Sequence, residues 1–462
     1  VRLGALLALE LKTEWRYGIP VVLFGLSIVW AVLVTVVGPD AAPYVLFVET
    51  LTVGVTAVGA LTATAAGTGA TAALRVTPVR PAEHVAARLA PLTLLTVACG
   101  VPVLVAGGAG ARLPSALFAL GLAALVLLAI ALAVAARRRS FVGFLTAAPW
   151  PMVPLLAIPL AVALGLVGGP MWYAVPTTGA LALLRGDPAY PGWLLIAYLG
   201  AWAVAAAWLA ARAVAAPEPV AARGGGGRPL RGRFAFARAD LRNVSRDSML
   251  VLLVASPLVL GLALRFGYPP LAGWVSGAYA VDLAPYRPIL AIIAVLLHVP
   301  VTTGMTAALI SLDDLDTGTI DVIGVSPLGV RRFLAYRMLA TAGAATLGLA
   351  AAAPLSGLVP RSAWVSALLA VPLAPLLALA MLATAGNRVQ GVTAGKALGL
   401  PGYGPIAVWW LGGAAAWWFA ALPGFWVIRA WGDPSPRWLA GGVVCCAGWL
   451  LLLWRRVVRR LS

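Results

Sequence analysis

Val76-Thr77-Pro78-Val79, running on to Arg88-Leu89, is answered later in the chain by Val325-Ser326-Pro327-Leu328, running on to Arg337-Met338. The hydroxyl residue and the arginine both recur at a constant spacing of 249 residues. A hydroxyl residue followed by proline reads as a helix N-cap with proline at the first helical position, where its missing N–H costs nothing. Each copy is therefore expected to start a short helix. Long apolar runs flank both copies, which places these arginine-bearing segments at a membrane surface.

The composition is 62% hydrophobic and 10% charged with a mean hydropathy of +0.97, far outside the soluble globular range. It is that of an all-α, polytopic membrane protein. The net charge of +18 does not read as a nucleic-acid footprint, because the arginines fall between apolar runs rather than along one face. Cys99 and the adjacent Cys445-Cys446 sit in apolar runs and form neither a disulfide framework nor a metal-binding spacing. No metal site and no cleavable signal peptide are expected.

A helical span needs roughly 20 apolar residues. Runs of that order predict six spans in a first half, near 18–37, 44–73, 89–110, 115–136, 141–168 and 191–211. Six more follow near 248–266, 288–312, 338–359, 362–386, 397–420 and 438–454. With the N-terminus inside, the cytosolic segments hold 26 of the 33 Lys and Arg residues. The outer segments hold only Arg112, Arg185, Arg265, Arg287, Arg361, Arg429 and Arg437, so the positive-inside rule supports cytoplasmic termini. Arg137 to Arg139 and the Arg455 to Arg460 segment read as cytosolic anchors.

Arg2 to Tyr17 places Glu10, Lys12, Glu14 and Arg16 among Leu3, Leu6, Leu7 and Leu11, the pattern of an amphipathic helix in the membrane interface. Asp240-Leu241-Arg242 and Arg246 repeat it 230 residues later. The domains predicted are 1–212 and 234–462, joined by a Gly/Pro/Arg linker at 213–233. The unequal spacings put an insertion within Phe266 to Arg287, so the second half is expected to carry a larger outer cap. Ser140 to Leu184 and Ala397 to Ile428 are too long for one span and too short for two. Each reads as a span followed by a short helix, after Pro176-Thr177 and after Pro423, that dips back from the outer face and roofs a pathway.

With these residues in place, the chain resembles the ABC-2-type exporter permeases, and among them the fused bacterial permeases of the fluoroquinolone or multidrug type. The resemblance rests on Trp15-Arg16-Tyr17-Gly18, Leu46-Phe47-Val48-Glu49, the Val76 to Glu83 segment and Tyr173-Ala174-Val175-Pro176-Thr177. The second half adds Arg246-Asp247, the Asp313 to Ile320 segment, Val325-Ser326-Pro327-Leu328 and Asn387-Arg388-Val389-Gln390-Gly391. It implies two six-helix repeats related by a pseudo-twofold, each with an interfacial connecting helix, a cytosolic coupling helix after its second span and an outer re-entrant helix after its fifth. The connecting helices would carry Glu10, Lys12 and Arg16, and Asp240, Arg242 and Arg246.

The resemblance further implies nucleotide-binding ATPase subunits, expected as a pair, as partners in a bacterial plasma membrane. Gly391 to Ala397 has the wrong glycine spacing for a phosphate loop and lacks the hydroxyl residue after Lys396, so ATP and magnesium enter only through the partner. Candidates for contact with it are Thr77, Pro78, Arg80 and Glu83 in the first half, and Asp313, Asp314, Asp316, Asp321, Ser326, Pro327, Arg331 and Arg332 in the second. Where the second half has its aspartates the first has Ala65-Ala66-Gly67, so the acidic segment is expected to make the stronger contact. A magnesium-diphosphate site in a membrane transferase is the competing reading of closely spaced aspartates.

Glu49 and His298 are the ionisable residues within expected spans, and burying such groups makes them pathway candidates. A snorkelling Glu49 and a His298 bonded to a neighbouring carbonyl are the structural alternatives. Pro176, Thr177, Trp409 and Trp410 complete the pathway set. The resulting reading is a permease that exports a hydrophobic or amphiphilic compound, binds the lipid bilayer and no nucleic acid, and is not itself an enzyme. An ion-coupled secondary transporter with two pseudo-symmetric halves is the alternative.

Overall fold

The computed structural model describes residues 2–67, 69–75, 77–138, 143–144, 147–216, 248–279, 282–316, 318–326, 329–409 and 413–461. Among these there are helices and turns and no strand. The chain is an all-α membrane protein: among the described residues eight helices are long and apolar enough to cross a bilayer, or nine when one bent pair is counted. The twelve spans expected are therefore not reproduced as twelve uninterrupted helices. Contact clustering divides the chain into unit 1, Val1–Pro229, and unit 2, Leu230–Ser462.

Unit 1 opens with α1 (Arg2–Arg16), which meets α2 (Ile19–Val37) at a 63° bend. Gly18 makes the turn with a left-handed φ of 71°, which glycine adopts without a Cβ clash. Next come α3 (Ala42–Val45), a π-helical turn (Leu46–Thr50), α4 (Leu51–Gly67) and the short α5 (Ala70–Arg75). Two full-length spans follow, α6 (Pro81–Ala106) and α7 (Leu113–Ala136). α7 is the core helix, packed against α4, α6 and α10 (Gly192–Ala215), with Ala119, Leu120, Ala123, Val126 and Leu127 fully buried. Its alanines allow close approach of neighbours, which is what drives helix association in lipid.

The expected span at 141–168 is described only as α8 (Pro149–Ala163), which runs unbroken through Pro154 and Pro159, where interruptions were expected, and ends before Gly165 at φ 70°. Proline removes an amide donor and glycine ends the helix. The ten-residue α9 (Pro176–Arg185) then packs against α7 and α8.

Unit 2 runs through α11 (Ser248–Tyr279), α12 (Arg287–Ala291), a π-helical segment (Ile292–Leu297), α13 (His298–Asp316) and the short α14 (Thr319–Gly324). It continues with α15 (Gly329–Ser356), α16 (Trp364–Ala370) and α17 (Leu373–Thr384), the last two forming a core span with 72% of its apolar window buried. α18 (Arg388–Tyr403), two 3-10 turns, α19 (Pro423–Gly432) and α20 (Pro436–Leu461) close the unit. The stretch expected as a span at 397–420 is broken where Gly404-Pro405 ends α18 and Gly413 turns at φ 61°.

The insertion of the second half takes a different form from the expected cap. α11 has 32 residues where α2 has 19, and it passes through Pro269-Pro270 without stopping. The extra residues lengthen a helix. Tyr268 Oη, on that extension, donates to Leu283 O at 3.0 Å and so ties it to the turn before α12.

Candidate functional site

The first hydroxyl-proline motif does not begin a helix. In unit 1, Thr77 and Pro78 lie exposed in a turn and α6 starts at the second proline, Pro81. Glu83, at the third helical position, accepts the Arg80 N–H at 2.8 Å. That bond satisfies a donor at the helix start, and the Pro78 site offers no such acid. In unit 2, Ser326 Oγ donates back to Ile323 O at 2.7 Å instead of capping, and α15 starts at Gly329. Pro327 lies outside the described residues. The short helices are α5 and α14, which precede the motifs.

Two turns into α6, Arg88 is 5% exposed and donates from Nη1 to Glu10 Oε2 of α1 at 2.7 Å. Glu14, one turn after Glu10, is 1% exposed and points into the same place. Thus α1 buries its carboxylates against α6 and leaves Leu3, Leu9, Leu11 and Trp15 exposed. Lys12 and Arg16 are exposed as well. In a bilayer interface the solvent for those leucines is lipid, so exposing them is cheap and pairing the charges is what matters.

Glu14 Oε1 has no protein hydrogen-bond partner, and burial pushes its carboxyl up to about 8, with Glu10 adding and Arg88 opposing. Burial also raises Glu10, against the attraction of Arg88. Docked α1 therefore holds a proton that undocked α1 releases, so docking is strongest below the ordinary glutamate range and weakens as pH rises towards about 8. After correction for the base-catalysed intrinsic rate, the protection of the α1 amides against hydrogen exchange in nanodiscs is expected to fall between pH 6 and 8, and Glu14→Gln to flatten that profile. A wild-type profile already flat would refute the linkage.

Arg337, the counterpart of Arg88 at the 249-residue spacing, pairs with Asp314 Oδ2 at the end of α13 and stacks over Phe333 at 5.1 Å. Among the described residues, Arg88 is thus seen paired with α1 and Arg337 with α13. Asp314 is thus tied within unit 2 while its side chain stays 24% exposed. Asp313 is half-buried, while Asp316, Asp321, Arg331 and Arg332 are exposed. Beside them α14 presents Val322, 69% exposed, and the turn after it presents Val325, 89% exposed.

Among the pathway candidates, Thr177 and Pro176 are buried at the start of α9, and Thr177 Oγ1 donates to Leu155 O at 2.5 Å. They serve packing within unit 1. His298 is exposed and its Nδ1 lies 3.1 Å from Tyr403 Oη, so its partner is a side chain of α18 and not a neighbouring carbonyl. Trp409 is 39% exposed in a 3-10 turn. Trp410, Asp240, Arg242 and Arg246 lie outside the described residues, as does the side chain of Glu49.

Glu49 and His298 are themselves 249 residues apart, and each sits in or directly after the π-helical segment of its unit. π-Helical turns occur mostly at functional positions. The constant spacing was a signal for this equivalence. Tyr403 and the burial of Glu14 had no sequence signal, since both depend on which helices touch.

A family model for Rv2686c-like fluoroquinolones export permease proteins matches residues 240–454. The fluoroquinolones export permease protein Rv2686c of Mycobacterium tuberculosis H37Rv is 30% identical over 233 residues, which cover 48% of this chain and 92% of that protein. Its counterpart MT2760 from strain CDC 1551 gives the same identity and coverage. These relatives are thus about half as long as this chain. No solved structure matches.

Proposed function

Since this chain belongs to the family of Rv2686c-like fluoroquinolone export permeases, we propose that it is the membrane subunit of an ATP-driven exporter for hydrophobic or amphiphilic compounds. ATP hydrolysis is supplied by separate nucleotide-binding subunits, which carry the magnesium, and this chain has no catalytic role of its own. Among the described residues both units run through a bent or broken span, a short helix and an arginine-anchored span in that order. On this reading one polypeptide provides two family-sized halves, with both termini in the cytoplasm of a bacterial cell.

The observation that carries the coupling is the pair of valines at α14. Val322 and Val325 are large apolar side chains left exposed next to Asp321, Arg331 and Arg332. An apolar centre with a charged rim is the anatomy of a protein interface. A push on α14 reaches α15 through its short turn, and the Asp314–Arg337 pair passes it to α13. In unit 1 the motion of α5 would reach α6 and, through Arg88 and Glu10, α1.

The test is purification of the tagged full chain from its native membrane. A Walker-containing subunit is expected to co-purify with ATPase activity, and Val322→Glu/Val325→Glu to reduce its recovery at least tenfold while the permease stays monodisperse. A chain that purifies alone, shows no ATPase and moves substrate under a proton gradient would make it a secondary transporter instead.

A further inference from the structure

Two arginines far apart in the sequence meet at Gly357, at the end of α15, and a third follows four residues later in the chain. Gly261 brings α11 close to α15, since an added Cβ would sit 2.9 Å from Leu355 Cβ and 3.2 Å from Ala352 O. One turn later Arg265 reaches the end of α15, its Nη1 lying 3.7 Å from where a Gly357 Cβ would be. Arg287, the first residue of α12, donates from Nη2 to Gly357 O at 2.6 Å. Arg361 follows four residues after that glycine and lines a groove of about 410 Å³ between α15 and α16.

All three arginines are exposed, and no carboxylate of the described residues lies within ion-pair distance of them. Asp282, in the turn before α12, accepts the Ala284 N–H at 2.8 Å instead. The groove itself is apolar, walled by Leu349, Ala353, Val359 and Val371, with Trp364 at its rim and 57% exposed. Both of its walls belong to helices that qualify as spans. These are also three of the seven arginines expected on the arginine-poor side of the membrane, where clustered positive charge needs a reason.

We propose that this groove binds an anionic phospholipid, one acyl chain lying along Leu349, Ala353 and Val371 and the phosphate held by Arg265, Arg287 and Arg361. Guanidinium forks match phosphate oxygens bidentately, and basic pockets beside membrane helices select anionic headgroups. Tryptophan at the rim suits the headgroup level. An aqueous anion has no use for the apolar walls, and a neutral lipid has none for the arginines.

The experiment is native mass spectrometry of the delipidated full chain titrated with phosphatidylglycerol or with phosphatidylcholine of the same acyl chains. Phosphatidylglycerol is expected to bind at a concentration at least tenfold lower. Arg265→Gln/Arg287→Gln/Arg361→Gln should erase that preference, and Ala367→Trp, which fills the groove, should weaken both lipids. If the triple variant does not fold, Arg361→Gln alone carries the comparison. Equal binding of the two lipids by the wild type, or an unchanged preference in the arginine variants, would overturn the proposal. So would displacement of the lipid by millimolar inorganic phosphate, which marks a simple phosphate site, or by norfloxacin, which marks a cargo site.

Discussion

Arg88→Ala is expected to destabilise unit 1 by about 3–5 kcal/mol, the range for removing one partner of a buried ion pair. The cost arises from what remains: Glu10, 9% exposed, and Glu14, 1% exposed, would face each other without a cation. Denaturant unfolding in detergent, followed through α1 and α6, measures it. A compensated variant, Glu10→Leu/Arg88→Leu, should recover most of the loss, because replacing both charges removes the desolvation problem along with the attraction. If Arg88→Ala costs less than about 1 kcal/mol, on the scale of an exposed pair, the docking of α1 on α6 is wrong.

Gly304→Ala is expected to cost about 3 kcal/mol, at the upper end of overpacking penalties, because α13 and α17 touch backbone to backbone at this residue. An added Cβ would lie well under 3.0 Å from Ala374 O, and a carbonyl cannot swing aside as a side chain end can. Gly343 supplies the control. It also lies inside a helix, α15, but nothing stands within 4 Å of its absent Cβ. Gly343→Ala should therefore stabilise by roughly 0.5–1 kcal/mol through helix propensity alone. Thermal unfolding of the two variants side by side in the same detergent decides the matter, and equal effects would mean that the α13–α17 contact is not as close as described.

These two sites also separate what each kind of information can reach. The membrane class needed only composition, because a chain this apolar must satisfy its backbone internally, and helices do so residue by residue. The pairing of Arg88 with Arg337, and of Glu49 with His298, was likewise present as a fixed spacing in the chain. Prolines and glycines marked the breaks near Pro405 and Gly413, since their backbone limits act locally. Even there the choice of Pro81 over Pro78 as a helix start turned on one acid, Glu83, three residues into α6.

Tertiary structure decided the rest. In a soluble helix the apolar face points inward, but beside lipid both the core and the outer surface are apolar, so periodicity no longer says which way a helix faces. That is why the sequence did not say that α1 buries Glu10 and Glu14. Carboxylate partners follow the same logic: Arg88 reaches across 78 residues to Glu10, whereas Arg337 reaches back 23 to Asp314. Neither distance is encoded by local pattern. The meeting of Arg265 and Arg287 at Gly357 depends on how α11 packs on α15, and only the folded unit brings those charges together.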